Sequence, residues 1–160
     1  MHVPSFNIDH DRLEKGLYVS RKDYVGDHCI TSFDVRLKRP NIEPPLDVPG
    51  IHSMEHLLAV FLRSPESGIA DDVIYVGPMG CRTGMYLVLK GDLSSKDIAE
   101  TMKKTFKYIA DYSGTVVPAS TSIECGNYLE HNLTLAKYYA KEYHDQILCN
   151  LNDSNTIYPA

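Results

Sequence analysis

Two histidines and a glutamate, close together in the chain, are the residues best placed for chemistry in this 160-residue sequence. His52 and His56 are four positions apart, so a helix would place both imidazoles on one face, where they could bind the same metal ion. Glu55 would stand beside them as an acid or base. The pattern H-x-x-E-H occurs in metal-dependent hydrolases, and it predicts a metal centre with a neighbouring proton carrier.

A third ligand is needed, because a catalytic divalent metal usually takes three protein ligands and keeps one exchangeable position. Cys125 is the best candidate, since Gly126 follows it and leaves the sulfur accessible in a bend. A His-His-Cys set favours zinc, iron or cobalt over magnesium or calcium. The other candidates are His10, His28, Cys81, His131, His144, Glu124, Glu130 and Glu142.

Cys81 lies on a glycine-rich bend and is a second candidate for chemistry. Near a bound cation its thiol should ionise readily and could act as a nucleophile or as a general acid or base. Together with Glu55 it would give two proton carriers beside a metal Lewis acid. Moving protons next to a carbonyl requires such an arrangement.

The elements that must position these residues follow from the hydrophobic periodicity. Residues 30–38 alternate between apolar and polar side chains, which predicts a strand whose polar face, bearing Arg36, is solvated by default. Prolines and a glycine make residues 39–50 a loop. From Ile51 a wide apolar stripe predicts a largely buried helix that carries both histidines and ends at Ser64-Pro65.

Two short apolar runs, residues 72–76 and 85–89, predict neighbouring strands joined by the bend that presents Cys81. Ser94 and Asp97 predict the capped start of a second helix, which Gly114 should end. A last helix is predicted over residues 133–148.

Three segments carry weaker expectations. Residues 116–117 are consistent with one more short strand, while residues 1–16 and 150–160 are polar and predict loose termini.

Composition narrows the classes of partner and compartment. The length and the 43% of apolar residues suit a single globular domain. A net charge of −5 and a pI near 5.7 argue against nucleic acid or a membrane surface as the main partner. The first 20 residues lack the apolar core of an export signal, and the four cysteines form no C-x-x-C pair. We therefore expect a reducing, cytoplasmic location.

Several separate motifs, in order along most of the chain, resemble those of the S-ribosylhomocysteine lyases, bacterial enzymes that produce the autoinducer-2 precursor. They are Ser5-Phe6 with Asp9-His10, Phe33-Asp34-Val35-Arg36 with Pro40-Asn41, residues 51–59 with Arg63-Ser64, Pro78-Met79-Gly80-Cys81 with Thr83-Gly84, Cys125-Gly126, and His131 with Leu133, Ala136 and Lys137.

The resemblance implies one α+β domain over residues 1–160, with an antiparallel β-sheet packed against α-helices, and a homodimer with active sites at its interface. It implies one divalent metal per subunit, with iron(II) expected and zinc or cobalt possible as isolated. The implied metal ligands are His52, His56 and Cys125, and the implied proton carriers are Cys81 and Glu55. The implied substrate pocket comprises Ser5, Phe6, His10, Arg36, Arg63 and Gly126.

The implied reaction opens the ribose of S-ribosylhomocysteine and shifts its carbonyl from carbon 1 to carbon 3. β-Elimination then releases homocysteine and 4,5-dihydroxy-2,3-pentanedione. The resemblance also implies that the segment from Ser5 to His10, together with Arg36, lies across the dimer interface against the metal site of the partner subunit.

The chain departs from the family pattern at Ser32, Tyr75 and Gly77, where a lysine, an acidic residue and a serine are expected. These departures concern the part of the site that would hold the homocysteine end of the substrate.

Two other functions fit the metal motif. A metallopeptidase or amidohydrolase would use Glu55 to activate water and would favour a carboxylate third ligand such as Glu124 or Glu130. A metal-stabilised binding domain without catalysis would instead have a closed site of four ligands, with Cys81 or Cys29 among them.

Overall fold

The structure is a computed structural model that describes residues 7–159. These residues contain a four-stranded antiparallel sheet and three α-helices. The strands are β1 (Gly16–Val25), β2 (His28–Arg36), β3 (Val73–Pro78) and β4 (Gly84–Lys90), and the helices are α1 (Val48–Leu62), α2 (Ser95–Ala110) and α3 (Leu133–Gln146). The strand order is β1-β2-β4-β3. The predicted α+β class with an antiparallel sheet is confirmed. Ser5 and Phe6, both predicted pocket residues, lie outside the described residues.

One face of the sheet and the three helices share a continuous apolar core. Phe33 and Val35 of β2 and Leu87 of β4 point into it and are almost fully buried. From α1, Met54 and Leu58 meet them. Each such side chain contributes about 2 kcal/mol through removal from water, so the core fixes the position of α1 against the sheet.

Helix α1 carries the H-x-x-E-H motif and begins close to α3. Pro49 stands in its first turn, where the missing N–H has no helical partner to lose. Gly50 is buried, and a Cβ there would lie 3.0 Å from the Cβ of Leu135 and 2.9 Å from the ring of Tyr139. The small residue thus lets the histidine-bearing end of α1 approach the beginning of α3.

The predicted elements at residues 51–62, 72–76, 85–89 and 133–148 are confirmed with boundary shifts of a few residues. Helix α2 has the predicted capping box of Ser94 and Asp97, although it ends at Ala110 and not at Gly114. The strand predicted at residues 116–117 is wrong. Pro118 cannot donate to a strand ladder and Ala119 has a positive φ of 55°, so the chain bends there instead.

Strand β1 was not foreseen. Its register against β2 shifts between Val19 and Arg21, and this irregularity interrupts the alternation that would have revealed it.

The expectation of a solvated polar face on β2 is also wrong. Ser32, Asp34 and Arg36 are at most 8% exposed. The C-terminal residues, expected to be frayed, cover this face, where the ring of Tyr158 stacks on that of Tyr18 at 4.7 Å between centroids. A buried charge requires partners, so this face holds a polar network within one chain.

None of the helices within residues 7–159 combines the length and hydropathy needed to cross a bilayer.

Candidate active site

The two motif histidines lie side by side near the start of α1, with ring centroids 4.9 Å apart. Nδ1 of His52 lies 2.8 Å from the carbonyl oxygen of Glu130, and Nδ1 of His56 lies 2.8 Å from that of Pro118. A carbonyl only accepts, so both Nδ1 atoms donate and both Nε2 atoms keep their lone pairs. Metal-binding histidines typically have this arrangement.

Cys125 reaches the histidines from a turn that closes with its N–H donating to the carbonyl of Thr121. Its Sγ lies 3.4 Å from Nε2 of His52, and the residue is partly buried. Gly126 beside it is exposed, and a Cβ there would meet nothing within 4 Å. The sulfur therefore joins the two imidazoles with open space next to it.

His131 is the fourth member of this group. Its Nε2 lies 3.9 Å from Sγ of Cys125, and its ring stacks on that of His52 with centroids 4.0 Å apart. Burial, together with the neighbouring His52 and His56, lowers the pKa of His131. The imidazole is thus kept neutral, with a free lone pair facing the group.

The ligand atoms of His52, His56, Cys125 and His131, which we call the histidine–cysteine cluster, all lie within 4.8 Å of one another. The donor set of imidazole nitrogen and thiolate sulfur suits zinc, iron or cobalt. No carboxylate belongs to the cluster among the described residues.

The spacing of the imidazole rings shows which pairs of histidines could bind one metal ion. Tetrahedral ligation with nitrogen about 2 Å from the metal places two imidazole centroids about 5 Å apart. The His52–His56 distance of 4.9 Å fits this, whereas His52 and His131, at 4.0 Å, stack too closely. The rings of His56 and His131, at 4.8 Å, fit as well. The geometry therefore allows either His52 or His131, but not both, to bind one ion together with His56 and Cys125.

Glu55, between the two histidines in sequence, is partly exposed. Within residues 7–159 its carboxylate makes no hydrogen bond or ion pair. A carboxylate that is not engaged in a structural contact is free to accept or deliver protons.

A second group of reactive side chains surrounds Cys81. A cleft of about 380 Å³ is lined by His10, Pro40, Asn41, Glu43, Pro45, Cys81 and Thr83. Cys81 is exposed to this cleft, whereas the Arg36 guanidinium behind it is buried. We call this group the Cys81 cleft.

Arg36 is held firmly against Cys81. It donates to both carboxylate oxygens of Asp34, at 3.0 and 2.6 Å, and to Oγ1 of Thr83 at 2.7 Å. The same Nη1 lies 3.9 Å from the sulfur of Cys81, and Thr83 Oγ1 lies 3.1 Å from it. Desolvation of the thiol raises its pKa, but the hydrogen bonds with Thr83 and the charge of Arg36 outweigh this, so the pKa of Cys81 lies below its ordinary value.

Comparison with known proteins identifies the family to which the chain belongs. A family model described as S-ribosylhomocysteinase (LuxS) matches residues 3–154. The chain belongs to this family. A protein of Phocaeicola vulgatus named S-ribosylhomocysteine lyase is 48% identical over 157 residues, covering 98% of this chain and 96% of the relative.

Proteins of the same name from Clostridium beijerinckii and Porphyromonas gingivalis are 45% and 46% identical, each over 98% of both chains. Membership of the S-ribosylhomocysteinase family confirms the prediction that the chain is an enzyme and a carbon–sulfur lyase.

The metal-ligand, proton-carrier and pocket residues implied by the family resemblance do not form a single group in the structure. His52, His56 and Cys125 come together in one cluster, and His10, Arg36 and Cys81 come together in the other. Within residues 7–159, no hydrogen bond joins the histidine–cysteine cluster to the Cys81 cleft.

Arg63 stands apart from both groups. It follows the last residue of α1, about 16 Å along the helix axis from His52, and donates to the carbonyls of Val73 and Ile74 at 3.1 and 3.4 Å. Its assignment to the substrate pocket of this family member stays a prediction.

Three residues that hold the site together were not predicted as site residues from the sequence: Ser53, Asp34 and Tyr158. Ser53 bonds His131, Asp34 bonds Arg36, and Tyr158 bonds Asp34. Asp34 lies within a family motif, so its position next to Arg36 was a signal available from the sequence. Tyr158 gave no such signal.

Proposed function

We propose that this chain cleaves the thioether of S-ribosylhomocysteine to give homocysteine and 4,5-dihydroxy-2,3-pentanedione, the precursor of autoinducer-2. Family membership supports this substrate, because the relatives named above carry the name S-ribosylhomocysteine lyase. The single observation that carries the proposal is the convergence of His52, His56 and Cys125, with their ligand atoms within 4.8 Å of one another, on and next to the helix that carries Glu55.

In this proposal His52, His56 and Cys125 bind one divalent metal per subunit, with iron(II) expected and zinc or cobalt as possible replacements. The bound metal would supply Lewis-acid polarisation of substrate oxygens. The two histidines are already fixed in the tautomer that leaves Nε2 free, so little reorganisation is needed for binding.

Glu55 and Cys81 are proposed as the proton carriers. Each carbonyl shift moves one proton from a carbon to its neighbour, with no net oxidation. The elimination removes the proton on carbon 4, forms a double bond between carbons 4 and 5, and breaks the bond between carbon 5 and sulfur. The resulting enol then takes up a proton at carbon 5 and loses its hydroxyl proton, which gives the dione. A proton delivered to the departing sulfur gives homocysteine. A Cys81 thiol with a lowered pKa can give and take protons near neutral pH.

We further propose that the working unit is a homodimer with active sites at its interface. The histidine–cysteine cluster and the Cys81 cleft hold complementary halves of the required chemistry, and no hydrogen bond links them within residues 7–159. His10, Arg36 and Cys81 line or adjoin the same cleft. Because these three residues of one chain share a cleft, a partner subunit that provides His10 and Arg36 to a site must also provide its Cys81. Ser5 and Phe6 are proposed to belong to that side of the site.

The other assignments remain proposals for the same site. Gly126, with open space around its Cα, would leave room for substrate beside Cys125. The bacterial cytoplasm, small-molecule substrate and lack of a nucleic-acid partner are expectations that follow from the family and from the net charge of −5.

A metallopeptidase is the main competing function for an H-x-x-E-H helix. It would be supported by a carboxylate third ligand, but Cys125 and His131 adjoin the motif histidines. The carboxylate of Glu124 instead bonds Thr121, and that of Glu130 bonds Asn127. A closed structural site would require His131 as a fourth ligand, and its close stacking on His52 argues against this.

The test is anaerobic incubation of the iron-loaded protein with S-ribosylhomocysteine, with released thiol measured by a chromogenic disulfide and corrected for protein thiols in a sample without substrate. We expect thiol release that disappears in the metal-free protein and in C81A, while C81A keeps its metal. Thiol release no greater than in the metal-free control would contradict the proposal. Full activity in C81A would exclude Cys81 as a proton carrier.

A further inference from the structure

The C-terminal segment, residues 152–159, is fixed onto β1. Two hydrogen bonds close the turn at its start. The side-chain oxygen of Asn152 accepts from the N–H of Ser154, and the N–H of Asn152 donates to the side-chain oxygen of Asn155. Asn155 is buried, and its carbonyl oxygen lies so near Gly16 that a Cβ there would be 2.2 Å away. The close approach of the two backbones anchors the segment where β1 begins.

Tyr158 extends from this segment across the polar face of the sheet. Its ring stacks on Tyr18 with an interplanar angle of 15°, and its hydroxyl donates to Oδ2 of Asp34 at 2.9 Å. Burial and the charge of Asp34 raise the pKa of Tyr158 far above neutral pH. The phenol therefore stays protonated and remains a hydrogen-bond donor over the whole range in which an enzyme works.

Asp34 connects Tyr158 to Arg36, because its carboxylate accepts hydrogen bonds from both side chains. The Asp34 carboxylate is 1% exposed, and the same Oδ2 that accepts from Tyr158 also accepts from Nη2 of Arg36 at 2.6 Å. A buried carboxylate needs all of its donors, because water cannot replace them. The other side of the guanidinium faces Thr83 and Cys81, at 2.7 and 3.9 Å.

We propose that Tyr158 is a positioning residue for Cys81: by donating to Asp34 it shares the carboxylate charge and leaves the Arg36 guanidinium available to the sulfur. Without the hydroxyl, Asp34 is balanced by Arg36 alone, which draws the guanidinium towards the carboxylate and makes the potential at Cys81 more negative. The C-terminal segment would thus control a thiol on the far side of a buried ion pair.

Other groups also face Cys81 and would be unchanged by a substitution at Tyr158. His10 and Glu43 line the cleft, Thr83 bonds the sulfur, and Tyr86 interacts with its charge. Of these, only Thr83 bonds Arg36 directly. A change at Tyr158 therefore reaches Cys81 through Asp34 and Arg36.

The experiment measures how fast iodoacetamide alkylates Cys81 from about pH 5 to about pH 9, in the full chain without substrate, with each cysteine resolved by peptide mass spectrometry. Y158F keeps the ring but removes the hydroxyl. We expect its Cys81 profile to move to higher pH, with a rate about threefold lower below the midpoint and an unchanged plateau above it. Exposed Cys149 serves as an internal control and should not change.

Y138F is the matched control variant, because Tyr138 is 59% exposed on α3 and far along the chain from Asp34. Its Cys81 profile should match that of the wild type. G16A tests the anchor, since its methyl group would clash with the Asn155 carbonyl, and its Cys81 profile should shift in the same direction as that of Y158F.

A Y158F profile for Cys81 that coincides with the wild type would overturn the proposal. A shift shared equally by Cys149 would also overturn it, because it would indicate general loosening. The role of Cys81 in turnover rests on the proposed function, and the two can fail separately. If Cys81 has no part in turnover, Y158F still shifts alkylation but leaves thiol release from S-ribosylhomocysteine unchanged.

Discussion

The hydroxyl of Ser53 lies 3.1 Å from Nδ1 of His131, 78 residues further along the chain. Ser53 donates its own proton to the carbonyl of Pro49 at 2.9 Å. Its oxygen must therefore accept from His131, as it also accepts from the N–H of Asn132 at 2.8 Å. One buried hydroxyl inside the H-x-x-E-H motif thus fixes the tautomer of His131 and the beginning of α3.

Replacing Ser53 with alanine should destabilise the protein and weaken metal binding. The change leaves Nδ1 of the partly buried His131 and the N–H of Asn132 without the Ser53 oxygen, which costs about 1 kcal/mol. Ser53 bonds none of the proposed ligands directly, so its loss should lower zinc affinity by less than the roughly tenfold loss typical of a residue that bonds a ligand. Denaturant unfolding of the metal-free protein and competition with a chromophoric chelator measure the two effects. S113A, at an exposed serine, is the control; equal behaviour of the two variants would contradict the prediction.

Glu55→Gln should retain metal but lose about 10²- to 10⁴-fold in turnover, which is the usual contribution of a general acid or base. The amide has nearly the same shape as the carboxylate but cannot carry a proton. Metal content by elemental analysis and thiol release from S-ribosylhomocysteine check both parts. E100Q, on the surface of α2, should behave as the wild type. Loss of metal from E55Q would make Glu55 a ligand instead.

Mixing two inactive variants tests whether the active site is shared between subunits. H56A lacks a metal ligand and C81A lacks a proton carrier. After subunit exchange, half of the dimers are mixed and each has one intact site, so activity should recover to about a quarter of the wild-type value. Each variant alone should stay inactive. No recovery, although native mass spectrometry shows mixed dimers, would place the histidine–cysteine cluster and Cys81 of one subunit in the same site.

The start of α2 should contribute to stability in a pH-dependent way. The N–H of Ser94, followed by its hydroxyl, lowers the pKa of Asp97 below its ordinary value of 3.8. A lowered folded-state pKa stabilises the protein above the unfolded pKa, and this contribution is lost as pH falls through the folded value. D97N should therefore be less stable than the wild type near pH 7, and the difference should vanish in acid. Thermal unfolding across pH checks this; a difference that persists below both pKa values would contradict it.

Local spacing was enough to predict the parts of the site that lie within one element. His52 and His56 share a helix face because the helical repeat places residues four apart one above the other. The capping box of α2 and the strands on either side of the Cys81 bend follow from patterns only a few residues long. The neighbouring Gly126 made Cys125 the best candidate for the third ligand, and the family motifs agreed, although no local pattern required Cys125 to meet the histidines.

The contacts between residues far apart in the sequence were decided by the tertiary structure alone. His52 meets Cys125 across 73 positions, and Asp34 meets Tyr158 across 124. The polar side of β2 was expected in water because alternation gives the two faces of a strand but not what covers them. The C-terminal segment covers that face because Gly16 has no side chain and lets the backbone of Asn155 pack closely against it. This contact joins distant parts of the chain, so no local pattern predicts it. Sequence thus determined which groups are reactive, and the fold determined which of them meet.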